Sequence, residues 1–314
     1  MDLYNALWDY LNGIPTIRDW PELNDFLRKV VAGKPRHWRL VARACQAAGG
    51  TPEQALPGMA ALGALFLNIV LIDDMLDQDP KGQYHRLGHA ATANIASAFQ
   101  AAGYEAIARS PLPPLAQAQI YQRLTAMLLQ TTLGQYWDSH NPSDEASYWQ
   151  VTRAKSSPYF ATSFYVGVRM AGGDHELAAR VAEVGALYGE MIQINDDLND
   201  VMETPANVDW LQGRYPLPIL FATLVPHPER ERFLEVRTQI ADEAALIEAQ
   251  EILIRCGAMS FGVDQLLQRY QQATAHLDAC ALAQPGYLQQ ILDEVVAPAQ
   301  RLLAQLTGAD AAAV

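Results

Sequence analysis

The chain has 314 residues, half of them apolar and 18% charged, which is enough to bury a sizeable core and excludes wholesale disorder. Its net charge of −13, with no Lys/Arg-rich run, argues against a nucleic-acid surface. Three scattered cysteines, Cys45, Cys256 and Cys280, lack metal-ligand spacing, and their odd, sparse count fits a reducing cytoplasm.

Taken in order, the pattern is helical almost throughout. The N-terminus has no basic region or cleavage site, so no signal peptide is expected. Residues 1–12 and 21–32 read as amphipathic helices, with a turn at Gly13-Ile-Pro-Thr between them and Gly33 as a stop. An Ala-rich helix follows over 37–48. Thr51-Pro-Glu reads as the cap of a helix that continues to about Asp77. Within it, Ala55 to Ile72 carries no charge and is just long enough to span a bilayer. The stretch contains Pro57, two glycines and Asn68, and it lacks basic flanks, so a buried core helix is the expectation rather than a membrane span. Further helices are predicted over 88–109, 114–138, 144–171 (capped from Asn141-Pro-Ser-Asp-Glu) and 174–200. Then come 229–256, 260–281 and 285–307, with a fraying tail from Gly308. No strand and no linker stands out, so residues 1–314 read as one all-α domain: a large bundle with a deep central cavity.

Two stretches carry chemistry. Leu65 to Asp79 is an apolar run that ends in Asp73, Asp74, Asp77 and Asp79. On a helix Asp73 and Asp77 share a face, at the end where the dipole is negative and the carboxylates repel one another. No Lys or Arg follows until Lys81, so a divalent metal is the natural compensating charge. The same Asp-Asp-x-x-Asp spacing recurs at Asp196, Asp197 and Asp200. Mg²⁺ takes oxygen ligands, commonly a few carboxylates plus substrate phosphates, so two facing clusters suit a diphosphate held by Mg²⁺. The histidines show no metal spacing, and neither a Ser-His-Asp nor a phosphate-loop pattern is present.

These clusters, with Gln193 three residues before Asp196, resemble the trans-isoprenyl diphosphate synthase (polyprenyl synthetase) family. Further segments are similar in the right order: Gly134-Gln-Tyr-Trp-Asp138, Lys155-Ser156, and Asp209-Trp-Leu-Gln-Gly-Arg-Tyr-Pro-Leu-Pro218. The resemblance implies an isoprenoid synthase fold, a homodimer, and three Mg²⁺ ions bridging the clusters to an allylic prenyl diphosphate. Asp73, Asp77, Asp196 and Asp200 would be metal ligands, with Asp74 and Asp197 assisting. Lys155, Ser156 and Arg214 would meet the diphosphate. Gln193 would place a metal-bound water or the prenyl chain, or is simply a polar residue inside a bundle. Asn68 and Ile69 would form the floor of a prenyl tunnel, with Phe66, Gln135 and Phe160 along it. Aromatic residues there would stabilise a carbocation, or are simply core.

The departures concern the second substrate. The family's Gly-Lys-Arg-x-Arg-Pro is Gly33-Lys34-Pro35-Arg36-His37-Trp38, its histidine seven residues before the first cluster is Phe66, and its Arg-Arg-Gly is missing. Lys34, Arg36 and Arg86 remain as a possible isopentenyl diphosphate site. Three readings follow: prenyl transfer to isopentenyl diphosphate or another acceptor, a terpene synthase acting on a single diphosphate, and an inactive regulatory subunit.

Overall fold

The computed structural model describes residues 2–141 and 143–307, the last seven as backbone, and every regular element among them is helical. Asp2 caps α1 (Leu3–Asn12) by accepting from the Tyr4 N–H. Where the sequence predicts a turn there is a short α2 (Pro15–Asp19), begun by Pro15, ahead of α3 (Pro21–Ala32). Arg36–Arg39 is a 3₁₀ turn leading into α4 (Leu40–Ala47). Thr51 and Gln54 make a reciprocal capping pair, at 2.8 and 3.4 Å, yet α5 (Leu56–Asp77) begins only at Leu56. A helix from Thr51 would carry Pro57 in its interior; the later start puts Pro57 in the first turn, where its missing N–H costs nothing.

After α6 (Tyr84–Leu87), α7 (His89–Ala108) and α8 (Pro114–Asp138), the predicted 144–171 helix divides into α9 (Glu145–Lys155) and α10 (Ser157–Met170). Pro158 explains the break, since it cannot donate to Ala154 and its ring would clash there. The cap of α9 is Asp144, which accepts from the Ser147 N–H at 3.0 Å. Asp174 caps α11 (His175–Asp200) in the same way.

Then come α12 (Val208–Leu211) and α13 (Leu217–Leu224). The predicted 229–256 helix is two, α14 (Arg230–Arg237) and α15 (Glu243–Arg255), because Asp242 starts a new helix by accepting from Ala244 and Ala245. The chain closes with α16 (Ala258–Asp278) and α17 (Gly286–Thr307). The tail from Gly308 and Pro142 of the predicted cap lie outside the described residues.

Helix α10 is the axis of the bundle: every residue but Arg169 is buried, and it packs on α4, α8 and α11. Helix α5 is the only described helix long and apolar enough to cross a membrane. Its apolar length is used in packing, with Met59 to Leu65 buried. A smaller core beside the main one gathers Val201, just past the end of α11, with Trp210, Phe233 and Leu253 from α12, α14 and α15. The important outcome of this topology is that α5, α8, α9 and α11 finish at the same end, each with a charged residue in its last turn.

Candidate active site

The last turn of α5 presents Asp73, Asp74 and Asp77, and Gln78 closes it in a left-handed conformation (φ 55°). Three carboxylates at the negative end of a helix need donors, and neighbouring helix ends supply them. Helix α8 crosses α9 so closely that a Cβ on Gly134 would sit 2.4 Å from the Lys155 nitrogen. That approach lets Gln135 Nε2 donate to Asp73 Oδ1 (3.2 Å) and brings Asp138 beside Lys155, whose Nζ lies 2.6 Å from Asp138, 3.2 Å from Asp73 and 3.8 Å from Asp77. Burial opposes the charge on Lys155, but Asp73, Asp138 and Asp77 outweigh it and hold its pKa above the ordinary value.

Arg214 closes the first cluster from the opposite side. It donates to Asp77 Oδ1 at 2.7 Å and lies 3.6 Å from Asp138, while Gln212 donates to the Asp77 carbonyl at 2.7 Å. The loop that carries it is pinned from two directions. Asn141 donates to the Gly213 carbonyl, and Arg237 donates to the carbonyls of Gly213 and Arg214 while stacking on Tyr215 at 4.1 Å. Gly213, at φ +66°, makes the turn that Arg214 follows.

The second cluster splits into two kinds of carboxylate. Asp197 is buried with both oxygens taken: Oδ1 accepts from Gln193 (2.9 Å), and Oδ2 from the Tyr148 hydroxyl (2.7 Å) and the Leu217 N–H (2.7 Å). Burial pushes its pKa up to about 7 despite these donors. Ser156 in turn donates to Gln193 Oε1 at 2.7 Å, which fixes the Gln193 amide. Asp196 and Asp200 have no cationic partner among the described residues. Burial raises both to about 6, reinforced at Asp200 by Asp196, Asp209 and Glu203. Burial, with Asp79, Asp73 and Asp77 nearby, does the same for Asp74. Asp73 is raised too, chiefly by burial, with Lys155 working against it.

Both clusters reach one cavity of ≈ 250 Å³, lined by Asp77 from α5, Asp197 and Asp200 from α11, Asp138, Lys155 and Arg214. No three acidic, histidine or cysteine side chains among the described residues already converge as a metal cage. The donor set still fits Mg²⁺, which binds through one or two carboxylates and completes its shell with water and substrate phosphate. Asp74, Asp196 and Asp200 are the uncompensated oxygen donors such an ion would take up.

The remaining predicted residues separate. Lys34 pairs with Asp2 at 3.1 Å, Arg36 lines a cavity beside α11 and α17, and Arg86 lines a third beside α3, so these three cations do not share a pocket. Asn68 donates to the Ala96 carbonyl of α7 at 3.0 Å and so faces that helix, while the Ile69 carbonyl accepts from Gln135 at 3.5 Å. Phe66 and Phe160 belong to a run of rings that includes His37, Tyr159 and Tyr188, at centroid spacings of 5.2–6.1 Å.

Comparison with known proteins bears on this geometry. The polyprenyl synthetase family model matches residues 21–253. The chain belongs to the polyprenyl synthetase family. Its prenyltransferase relatives include a geranylgeranyl diphosphate synthase from Methanosarcina mazei, 21% identical over 265 residues and spanning 78% of this chain and 79% of that protein. Among solved structures, geranylgeranyl pyrophosphate synthetase from Pyrococcus horikoshii superposes with a TM-score of 0.80 at 19% identity, covering 94% of each chain. A decaprenyl diphosphate synthase from Rhodobacter capsulatus gives 0.78 at 16% identity, over 94% of this chain and 95% of that one. A polyprenyl synthetase from Streptomyces coelicolor gives 0.74 at 20% identity, over 82% and 83%. The isoprenoid synthase fold is therefore shared.

Within this synthetase frame, sequence reasoning missed Tyr148 and left Asp138, Asp209 and Gln212, all within the quoted segments, without roles. Asp138 had a signal, lying one turn beyond Gln135 on the same helix face. Tyr148 had none, because its partner Asp197 lies 49 residues away.

Proposed function

We propose that the chain ionises an allylic prenyl diphosphate with Mg²⁺ and transfers the prenyl group to isopentenyl diphosphate or another acceptor. Prenyl transfer follows from the family; the metal, its ligands and the acceptor are the proposed part. The observation that carries the reading is the meeting of two Asp-Asp-x-x-Asp helix ends at one cavity, with Lys155 and Arg214 between them. Asp73 and Asp77 on α5 and Asp196 and Asp200 on α11 would hold Mg²⁺, with Asp74 beside them. When bound, the metal neutralises the diphosphate oxygens and acts as a Lewis acid on the leaving group.

The chain's own residues do the rest. Lys155 and Arg214 rest on carboxylates and would pass to the departing diphosphate, stabilising the charge that develops there. Ser156, Gln193 and Asp197 form a hydrogen-bonded chain from α9 to α11 that keeps Gln193 in one orientation at the cavity wall. Asp197 acts as an anchor for α11 rather than as a ligand. The rings of Phe66, Tyr159, Phe160 and Tyr188 support a second reading, a terpene synthase that quenches the cation internally, because aromatic faces stabilise carbocations.

We also propose a cytoplasmic homodimer acting as one domain per chain. The three cysteines are free, and Leu129, Leu133 and Tyr136 form an exposed apolar strip along α8. The test is to incubate purified protein with geranyl, farnesyl and geranylgeranyl diphosphate, each with and without isopentenyl diphosphate, in Mg²⁺ and in EDTA. Longer diphosphates formed only with Mg²⁺ and isopentenyl diphosphate establish chain elongation. Hydrocarbons or alcohols from one diphosphate favour the second reading. Equal diphosphate release with EDTA and with Mg²⁺ sinks both.

A further inference from the structure

Helix α14 contributes no side chain to the wall of the aspartate cavity, yet it reaches the loop that does. Phe233 and Val236 bury one face of α14 in the smaller core, and Trp210 of α12 packs on Phe233 at 6.3 Å. Arg237, in the last turn of α14, meets the loop between α12 and α13. Its Nη2 donates to the carbonyls of Gly213 (2.9 Å) and Arg214 (2.7 Å), and its Nη1 lies 3.4 Å from Thr223 Oγ1. The guanidinium sits 4.1 Å from the ring centre of Tyr215. No carboxylate among the described residues pairs with it. Burial works against its charge, with Tyr215 opposing that effect. A half-buried cation without a counter-ion is costly. A flat fork that grips two carbonyls and stacks on a ring is a geometry that arginine supplies and lysine does not.

What Arg237 holds is the backbone of Arg214, whose side chain has to change partners. The Arg214 guanidinium is shared by Asp77 (2.7 Å), Asp138 (3.6 Å), Asp209 (3.8 Å) and the Gln212 amide oxygen (3.0 Å). Metal binding would draw Asp77 away and leave the guanidinium to turn to the diphosphate. A long side chain that exchanges partners delivers its charge to one place only if its Cα stays put, and a drift of about 1 Å is enough to cost catalysis heavily. Packing does not brace this turn: nothing lies within 4 Å of where a Cβ on Gly213 would be. The hydrogen bonds from Arg237 and Asn141 brace it instead. We propose that Arg237 is a positioning residue, fixing the backbone pivot about which Arg214 passes from Asp77 to the substrate's diphosphate. The smaller core thereby takes part in the chemistry without touching the substrate. This inference rests on the role proposed above for Arg214.

The experiment is a double-mutant cycle of Arg237→Lys with Arg214→Gln in the full chain. It is read by diphosphate release from geranyl diphosphate with Mg²⁺ and isopentenyl diphosphate, and by calorimetric titration with Mg²⁺ and inorganic pyrophosphate. Lysine keeps the charge but loses the fork and the stacking, so a role set by charge alone would be rescued. Arg237→Lys is expected to lower kcat/KM and pyrophosphate affinity by about tenfold each, the worth of one charge-assisted contact at Arg214. In the Arg214→Gln background the same change should cost less than about twofold, because the residue it acts through is already gone. Arg232→Gln, in exposed pairs with Glu235 and Glu248 on the same helix, should leave both readouts unchanged. Losses that multiply in the double variant overturn the inference, since Arg237 would then act on something other than Arg214. Full activity in Arg237→Lys overturns it as well, and so does an equal loss in Arg232→Gln. Thermal melts of each variant separate lost positioning from lost folding. A wild-type chain that neither releases diphosphate nor binds pyrophosphate removes the role of Arg214 itself; an active wild type with an additive cycle removes only that of Arg237.

Discussion

Asp197 is tied down by three donors, whereas its neighbour Asp196 has only Asn195 beside it. The two should therefore fail differently when truncated. Asp197→Ala leaves the Tyr148 hydroxyl and the Leu217 N–H buried without acceptors, a loss of about 2–4 kcal/mol by the usual cost of unsatisfied groups. Asp196→Ala removes a repelling carboxylate and should cost little stability, while prenyl diphosphate turnover falls by orders of magnitude. Urea denaturation alongside a diphosphate-release assay checks both; a stable, active Asp196→Ala would remove that residue from the metal set. At this scale the aspartates were legible because their spacing repeats. Their division of labour was not, because it depends on Tyr148 and on the backbone at Leu217, which no local pattern connects to α11.

Among the elements, the crossing of α8 and α9 holds the first cluster together. Gly134→Ala would push a methyl into the Lys155 and Ala154 backbone, at 2.4 and 2.5 Å, where no side chain can swing aside. The expected outcome is a lower melting temperature and a loss of turnover larger than the stability change explains. Moving α8 separates Gln135 from Asp73 and Asp138 from Lys155 together. A variant that melts normally and keeps full activity would show that the crossing has slack. Helix type and order were readable from apolar periodicity; the breaks near Pro57 and Pro158 were readable in principle, since proline belongs in a first turn. The start of α15 was not. Asp242 interrupts a continuous amphipathic pattern only because its carboxylate captures two N–H groups.

For the molecule as a whole, four carboxylates, Asp74, Asp196, Asp197 and Asp200, have pKa values raised to about 6 or 7, chiefly by burial. A raised carboxyl is bound to its proton more tightly in the folded state. Its contribution to stability is fully present below the unfolded value of 3.8 and is lost as pH rises through 6 to 7. Metal-free protein should therefore melt at a lower temperature at about pH 8 than at about pH 5. Mg²⁺ with inorganic pyrophosphate should reverse much of that difference, by about 2.7 kcal/mol at a hundredfold excess over Kd. Calorimetric scans at both pH values, with and without the additions, would show it; a melting point indifferent to pH would mean that these groups are solvated. The apolar strip on α8 gives a second global test. Leu129→Glu with Leu133→Glu should convert a dimer to a monomer by light scattering, and an unchanged mass would place the interface elsewhere.

Helix α11 separates two volumes of opposite charge, and its residues serve them alternately: Tyr188, Ile192, Asn195 and Asn199 on one side, Gln193, Asp197 and Asp200 on the other. A partition wall built this way can be altered on one side while the other is left alone. A saturation scan along 188–200 should then give two interleaved series of phenotypes, each with the pitch of the helix and out of phase with the other. Descendants of this chain could change what they accept from one chamber while inheriting intact chemistry in the next.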